Sequence, residues 1–291
     1  MNKFALTFTA AWLFAFATFT SGESIVYDSF ESGDFSAPSA HGFRWSTNSA
    51  MTSIVTSTTE LFRTSVINAP APEGSQWEAK SGEHALRLFY PAGQHWTEQK
   101  FYLDKPQPEI WMSFWLRVPT NFTHPKRGKA GDNQKLFRLW MDKYSQQGDG
   151  STVGMSFRGD GHGGSYFFAK INGSHDIGKV PFIAIPGDRG RWMHLVVHLD
   201  SESVPGASDG LMEVWRKWEG DTDYTKTHDI RNQPINLSST KKGFAAGYLM
   251  GYANAVYPVD TEFMIDDFEL STSPLFLSSN VPNPPLGLYV R

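Results

Sequence analysis

The sequence predicts an all-β chain folded as a two-sheet antiparallel β-sandwich, and three observations carry that reading. Helical periodicity is almost absent from the 291 residues. Short runs with the two-residue alternation of half-buried strands recur roughly every 10 to 20 residues, between clusters of Gly, Pro, Asn and Asp. No internal repeat or low-complexity linker divides the chain, so that many strands in one domain imply two stacked sheets.

The first 22 residues stand apart. Met1-Asn2-Lys3 is followed by an apolar run from Phe4 to Phe19 and the small residues Ser21 and Gly22. A basic start, a short apolar stretch and a small-residue exit describe a secretory signal peptide rather than a membrane span. Residues 1–22 are therefore assigned to export, 23–272 to the β-domain and 273–291 to a Pro-rich C-terminal tail. About 270 residues remain for the fold, enough for a large core. The chain has 22 Phe, 10 Trp and 10 Tyr and no Cys. A domain of this size needs no disulfides, and their absence fits a secreted or periplasmic protein of bacterial type.

The formal net charge of −4 argues against nucleic acid. Lys126, Arg127, Lys129 and Lys135 form a local basic cluster, which suits an acidic polymer. No membrane partner is expected beyond the leader, and a monomer is the simplest state.

Strands are expected over 24–30, 83–90, 97–103, 109–118, 134–141, 153–157, 166–171, 192–199, 211–218, 244–252 and 263–270. The strand at 109–118 sets Ile110, Met112, Phe114, Leu116 and Val118 on one face, with Trp111, Ser113, Trp115 and Arg117 on the other. Likewise 134–141 sets Phe137, Leu139 and Met141 against Gln134, Arg138 and Trp140. A face of indoles interleaved with hydrogen-bonding groups suits a sugar chain, whose CH surfaces stack on rings while hydroxyls and carboxylates meet Arg and amides. The expectation is one glycan groove holding both faces. The segment 119–132 between these strands, with Pro125, Gly128 and Gly131 around its cations, reads as a loop over that groove or as an ordinary solvated turn.

His194 and His198 share one face of their strand, roughly 13 Å apart, too far for a common metal. Either could serve as a base, or lie on an outer sheet surface. The Gly-rich segment 159–164 precedes a strand, not a helix, so it is no phosphate cradle. Tyr248 and Tyr252 fall on one face of 244–254, opposite Gly247, Gly251 and Ala253.

Four segments carry a family likeness: Asp28-Ser-Phe-Glu-Ser-Gly-Asp34, Gly190-Arg-Trp-Met-His-Leu-Val-Val-His198, Ser208-Asp-Gly-Leu-Met-Glu-Val-Trp215 and Phe263-Met-Ile-Asp-Asp-Phe-Glu269. Together they resemble the concanavalin A-like jelly roll, and within it the secreted polysaccharide-lyase branch of alginate and glucuronan lyases. Trp96-Thr-Glu-Gln-Lys100 resembles the Arg-Ser/Thr-Glu-Leu-Arg motif of alginate lyases, keeping Thr97 and Glu98. Gln134-Lys-Leu-Phe-Arg138 stands where Gln-Ile-His would, without the His. Gly243-Phe-Ala-Ala-Gly-Tyr-Leu-Met-Gly-Tyr252 is similar to Tyr-Phe-Lys-Ala-Gly followed by Tyr, without the Lys. The likeness implies a concave groove in which Glu98 and Lys100 bind substrate; the strand alternation adds Trp111, Trp115, Trp140 and Arg117 as substrate-binding residues, and the basic loop adds Lys129.

β-Elimination from a uronate needs a carboxylate neutraliser, a base and an acid. Arg138 is the expected neutraliser, with Gln134 beside it; Tyr252 is the leading proton-transfer residue, with Tyr248 and His194 as substitutes. No cofactor is required for that chemistry. Pairing of the terminal strands, which the likeness implies, would bring Asp28 and Glu31 near Asp267, where structural Ca²⁺ is the expected ligand; turn-capping is the other reading of these acids. The function expected is a polysaccharide lyase for an acidic glycan, or alternatively a non-catalytic, lectin-like carbohydrate-binding domain. A glycoside hydrolase is disfavoured, because no closely spaced Glu-x-Asp-x-x-Glu set appears.

Overall fold

The structure is a computed structural model that describes residues 23–47, 51–58, 77–126, 131–141, 144, 151–174, 176–237 and 243–275, together with the backbone of 61–63 and 68–70. The expected signal peptide, Lys129 and the tail beyond residue 275 lie outside the described residues.

The described chain is built of strands and turns, with no helix among those residues. In chain order the strands are β1 (Ser24–Asp28), β2 (Arg44–Trp45), β3 (Thr52–Thr56), β4 (Leu61–Arg63), β5 (Asn68–Pro70), β6 (His84–Tyr90), β7 (Gln99–Gln107), β8 (Glu109–Arg117) and β9 (Gln134–Trp140). They continue with β10 (Thr152–Gly159), β11 (Ser165–Ile171), β12 (Ile177–Ile183), β13 (Trp192–Asp200), β14 (Gly210–Trp218), β15 (Thr225–Gln233), β16 (Phe244–Leu249) and β17 (Thr261–Ser271). An eight-stranded sheet runs β15-β14-β13-β8-β17-β6-β3, with β1 also paired to β17; a seven-stranded sheet runs β12-β11-β10-β9-β16-β7-β2. β4 and β5 form a separate hairpin.

The two sheets stack because each has one apolar face. Ile110, Met112, Phe114 and Leu116 of β8 and Leu195, Val197 and Leu199 of β13 meet Phe137, Leu139, Met155, Phe157 and Phe167 from the other sheet in one core cluster. Complete burial of such side chains contributes about 1.5–3 kcal/mol each. Polar groups that enter the core are bonded. The Asp28 carboxylate accepts from the Phe30 amide at 2.8 Å and from the Trp45 indole at 2.7 Å, tying the first strand to the seven-stranded sheet.

The first and last described strands pair as expected: Tyr27 lies opposite Glu269 and Asp28 opposite Phe268. The expected single groove does not survive. β8 belongs to the eight-stranded sheet and β9 to the seven-stranded one, so the chain crosses the sandwich between them. Alternation along a strand fixes which face a residue takes, but not which sheet receives the strand.

A second departure is local. The ladder between β9 and β10 shifts register between Met155 and Ser156: Met155 pairs with Phe137, and Ser156 with Lys135. Leu136 is the extra residue of a bulge, and Leu136 and Phe137 both enter the core. Outward positions on β9 are therefore Lys135, Arg138 and Trp140, while Gln134 turns inward.

Candidate active site on the seven-stranded sheet

The outer face of the seven-stranded sheet gathers the charged and aromatic residues of three adjacent strands and the turn after β16. Tyr248 lies across from Arg138 on one side and from Lys100 on the other, and Ala246 across from Trp140. The alternation of β16 makes this possible, since Gly247 and Leu249 face the core. Gly247 must be small: a Cβ there would meet the Phe101 ring at 2.4 Å.

Arg138 is half-buried and reaches over β10. Its Nη1 donates to the Lys170 carbonyl at 3.2 Å and its Nη2 to Ser156 Oγ at 3.3 Å. Gly154 opens that path, because a Cβ at this position would lie 2.2 Å from the Phe137 carbonyl oxygen and 3.0 Å from Arg138 Cδ. Tyr248 packs beside the guanidinium with only 6% exposure. Burial pushes its phenol well above the usual range, and Arg138 offsets only part of that, so Tyr248 stays neutral. It is a wall of the site and a prop for Arg138, not an exposed acid.

Lys135, read in the sequence only as part of a basic cluster, takes an outward place on this face beside Arg138. Its ammonium donates to Asn254 Oδ1 at 3.0 Å and lies over the Tyr252 ring, 4.9 Å from the centroid. Asn254 is held in turn by its Nδ2 donating to Asn133 Oδ1 at 2.7 Å. Burial, then the neighbouring positive charge of Arg138, pulls the Lys135 pKa down to about 8. The signal was present: Leu136-Phe137, two consecutive core residues between Lys135 and Arg138, breaks strict alternation and marks the bulge.

Tyr252 is 40% exposed. It lies beyond the end of β16, after Met250 takes the left-handed conformation (φ 56°). His95 stacks on its ring at 4.9 Å and 7°, with its Nδ1 donating to the Ala253 carbonyl at 2.7 Å, and Trp96 meets it edge-on at 6.2 Å. The phenol is thus fixed next to Lys135, with its edge open to solvent.

Further along the face, Trp140, Tyr144 and Tyr248 form an aromatic cluster: Trp140 lies 4.8 Å from Tyr144 and 5.3 Å from Tyr248. Lys100 sits 4.5 Å over the Tyr144 ring and pairs with Glu98 at 2.7 Å. Burial raises the pKa of Glu98, and Lys100 opposes that rise. The arrangement presents rings for CH surfaces and cations for carboxylates.

The other predicted residues are elsewhere. Gln134 is fully buried and accepts a 2.6 Å hydrogen bond from the Tyr257 hydroxyl, so the β9 bulge removes it from the face that holds Arg138. Trp111, Trp115, Arg117 and His194 lie on the outer face of the eight-stranded sheet, on the opposite side of the sandwich. Trp111 stacks on His198 at 4.0 Å, Trp115 packs against His194 at 4.8 Å, and Arg117 Nε donates to the Gly190 carbonyl at 3.0 Å. His194 meets the Tyr224 hydroxyl at 2.6 Å, and burial followed by Lys217 and Lys80 lowers its pKa to about 3.

The acids expected to hold calcium do not converge. Asp28 is engaged by Phe30 and Trp45; Glu31 Oε1 accepts from the amides of Glu83 and His84 at 2.9 and 2.8 Å. Asp267 Oδ1 accepts from the Tyr27 and Ser81 hydroxyls at 2.6 and 2.8 Å. Their oxygens face N–H and O–H donors, and among the described residues no group of three or more His, Cys, Asp or Glu is placed to hold a metal. The set does not fit a shared cation.

No family model matches the chain. No curated protein matches it either. Among solved structures it is similar to a double mutant of the alginate lyase Aly36B in complex with alginate trisaccharide, at 12% identity and a TM-score of 0.53, covering 86% of this chain and 97% of that one. Fainter likenesses are to the alginate lyase vAL-1 from Chlorella virus (10% identity, TM-score 0.44, 68% and 88% of the two chains) and to basic winged bean lectin with Tn-antigen (11%, 0.43, 79% and 98%). At these identities the likeness speaks for the fold. Two stacked antiparallel sheets, with the first and last described strands paired in one of them, together with that match over most of both chains, give this protein the concanavalin A-like jelly-roll fold.

Proposed function

We propose that the protein is an exported polysaccharide lyase that cleaves an acidic, uronate-containing glycan by β-elimination on the outer face of the seven-stranded sheet. The observation that carries this reading is the convergence of Lys135, Arg138, Tyr252 and Asn254, with the Lys135 pKa near 8. Elimination needs a base that is partly neutral near physiological pH, and a lysine lowered by burial beside a second cation meets that need.

In the proposed reaction the Arg138 guanidinium and the Asn254 amide hold the uronate carboxylate, which makes the proton on the adjacent ring carbon acidic. Neutral Lys135 takes that proton. The electron pair left behind forms the new ring double bond as the glycosidic C–O bond breaks. The Tyr252 phenol protonates the leaving oxygen and regains its proton from Lys135 or solvent. Trp140, Tyr144 and Lys100 bind neighbouring sugars, while Tyr248 keeps Arg138 in place. The likeness to a structure described as an alginate lyase supports acidic polymers as the substrates to try first.

Incubation with alginate, glucuronan and other polyuronates, followed by ultraviolet absorbance of the unsaturated product, tests the reading. Product formation that vanishes in Lys135→Ala supports it. Tight binding of these polymers without any new double bond would instead identify a lectin-like binding domain.

A further inference from the structure

The opposite side of the sandwich carries a cavity of about 430 Å³, within the size range of small-ligand sites. Its floor is made of small outward residues of three adjacent strands. Ser113 of β8 lies between Val196 of β13 and Glu269 of β17, and Ser271 of β17 is the next outward residue along that strand. The register shift between Asp266 and Glu269 makes this possible, because it returns Glu269 to the outer face after Phe268 has entered the core. Val196, Pro274 and Leu275 supply its apolar lining, while Trp111 and Trp115, two residues to either side of Ser113, stand outside it with their rings against His198 and His194.

The polar groups of this cavity are of a consistent kind. Burial raises the Tyr224 pKa to about 12 and, with Lys217 and Lys80, lowers that of His194 to about 3, so both are neutral. Their 2.6 Å contact uses one donor and one acceptor. Whichever tautomer His194 takes, the pair retains one donor and one acceptor for a ligand. Glu269 adds a half-buried carboxylate that, among the described residues, no salt bridge neutralises, and burial raises its pKa. No Lys or Arg lines the cavity.

Charge narrows the class of ligand. A uronate or phosphate would meet the Glu269 carboxylate inside a cavity that no Lys or Arg lines, with Lys80 and Lys217 acting only from behind His194 and Tyr224. A cationic ligand would meet the field of Lys80 and Lys217, and Lys80 already covers the Trp115 ring at 4.7 Å. What remains is an uncharged molecule rich in hydroxyls: these donate to Glu269 and exchange hydrogen bonds with the Tyr224–His194 pair and the serines, while CH faces meet the apolar lining of Val196, Pro274 and Leu275.

We propose that this cavity is a second, non-catalytic carbohydrate site for one or two units of a neutral glycan. It is separate from the elimination site and lies on the other sheet. The inference does not depend on the lyase reading, because it rests on residues that take no part in that chemistry.

Isothermal titration of the whole protein with cellohexaose, maltohexaose and mannohexaose, with an oligouronate as the acidic comparison, tests the proposal. At least one neutral oligosaccharide should bind, and the oligouronate should not compete with it. Glu269→Gln and Tyr224→Ala should each weaken that binding by about tenfold, as loss of a site hydrogen-bond partner does. Ser113→Gln, which fills the floor with a longer side chain, should abolish it. Failure of all three neutral probes would overturn the site, as would binding that persists in the three variants or is displaced by the oligouronate. Self-association of the protein that these substitutions abolish would overturn it in favour of a contact between copies.

Discussion

The Lys135 side-chain nitrogen lies 4.9 Å from the centre of the Tyr252 ring while donating to Asn254. This places a candidate base over the ring of a candidate acid, on a face that Arg138 renders cationic. A lysine surrounded by solvent would stay charged near pH 7. Burial and Arg138 bring this one to about 8, so its neutral fraction grows through the mildly alkaline range. Lyase activity should rise with pH through about 8. Lys135→Met should reduce turnover roughly 100- to 10,000-fold, and Lys135→Arg should not rescue it, because a guanidinium stays protonated. Product absorbance across a pH series measures both effects; an unchanged rate in Lys135→Met removes the residue from the mechanism.

Gly154 gives a steric test of Arg138. The β9–β10 ladder places Gly154 directly opposite Arg138, and a methyl group there would collide with the Phe137 carbonyl and crowd Arg138 Cδ. Gly154→Ala should therefore shift the guanidinium off Ser156 and Lys170. We expect a loss of stability of about 1–3 kcal/mol from overpacking, with a fall in kcat/KM larger than the fall in folded protein. Denaturant unfolding beside kinetics on polyuronate separates the two. Equal losses would mean that Arg138 acts only in the fold.

Much of the sandwich was legible because its central strands alternate. β8 reads apolar at Ile110, Met112, Phe114 and Leu116, and each of these is in the core. Strands β2, β3, β12 and β15, which end the two sheets, and the β4–β5 hairpin were missed; Thr225–Gln233 is polar along most of its length, as an unpaired edge tends to be. For the site, Arg138, Trp140, Tyr248, Tyr252, Glu98 and Lys100 do share one side of the molecule, whereas Trp111 and Trp115 do not. Nothing in a two-residue period tells which sheet takes the next strand after 119–132. The bulge at Leu136 then exchanged Gln134 for Lys135, a difference of one residue that turned the proposed base outward.

The inward Gln134 predicts a structural phenotype. Its Oε1 accepts from Tyr257, whose hydroxyl is completely buried with it. Gln134→Met retains volume but leaves that hydroxyl without its acceptor, at a cost of about 1–3 kcal/mol. Thermal or urea unfolding should show the loss, while turnover per folded molecule holds. A selective fall in kcat with unchanged stability would return Gln134 to the reaction.

On the far sheet, His198 is clasped between two carboxylates, with Nε2 2.8 Å from Glu109 and Nδ1 2.9 Å from Glu213. Burial opposes the imidazolium, but the two acids outweigh it and raise the pKa above 6.5. Glu213, which also receives Lys226 at 2.6 Å, is lowered from 4.5 to about 2 despite its burial. A raised histidine stabilises the fold fully below its unfolded pKa of 6.5, and that stabilisation fades as pH climbs through the higher folded value. A lowered glutamate stabilises fully above 4.5, and its contribution fades as pH falls towards 2. The cluster therefore strengthens the fold most between these limits, by roughly 1.5–3 kcal/mol for hydrogen bonds to charged groups. Melting temperature measured against pH should show a plateau from about 4.5 to 6.5 with a decline on each side. His198→Gln should lower the plateau and flatten the alkaline decline, since it removes the titrating proton. An alkaline limb of full size in that variant would assign the effect to another group.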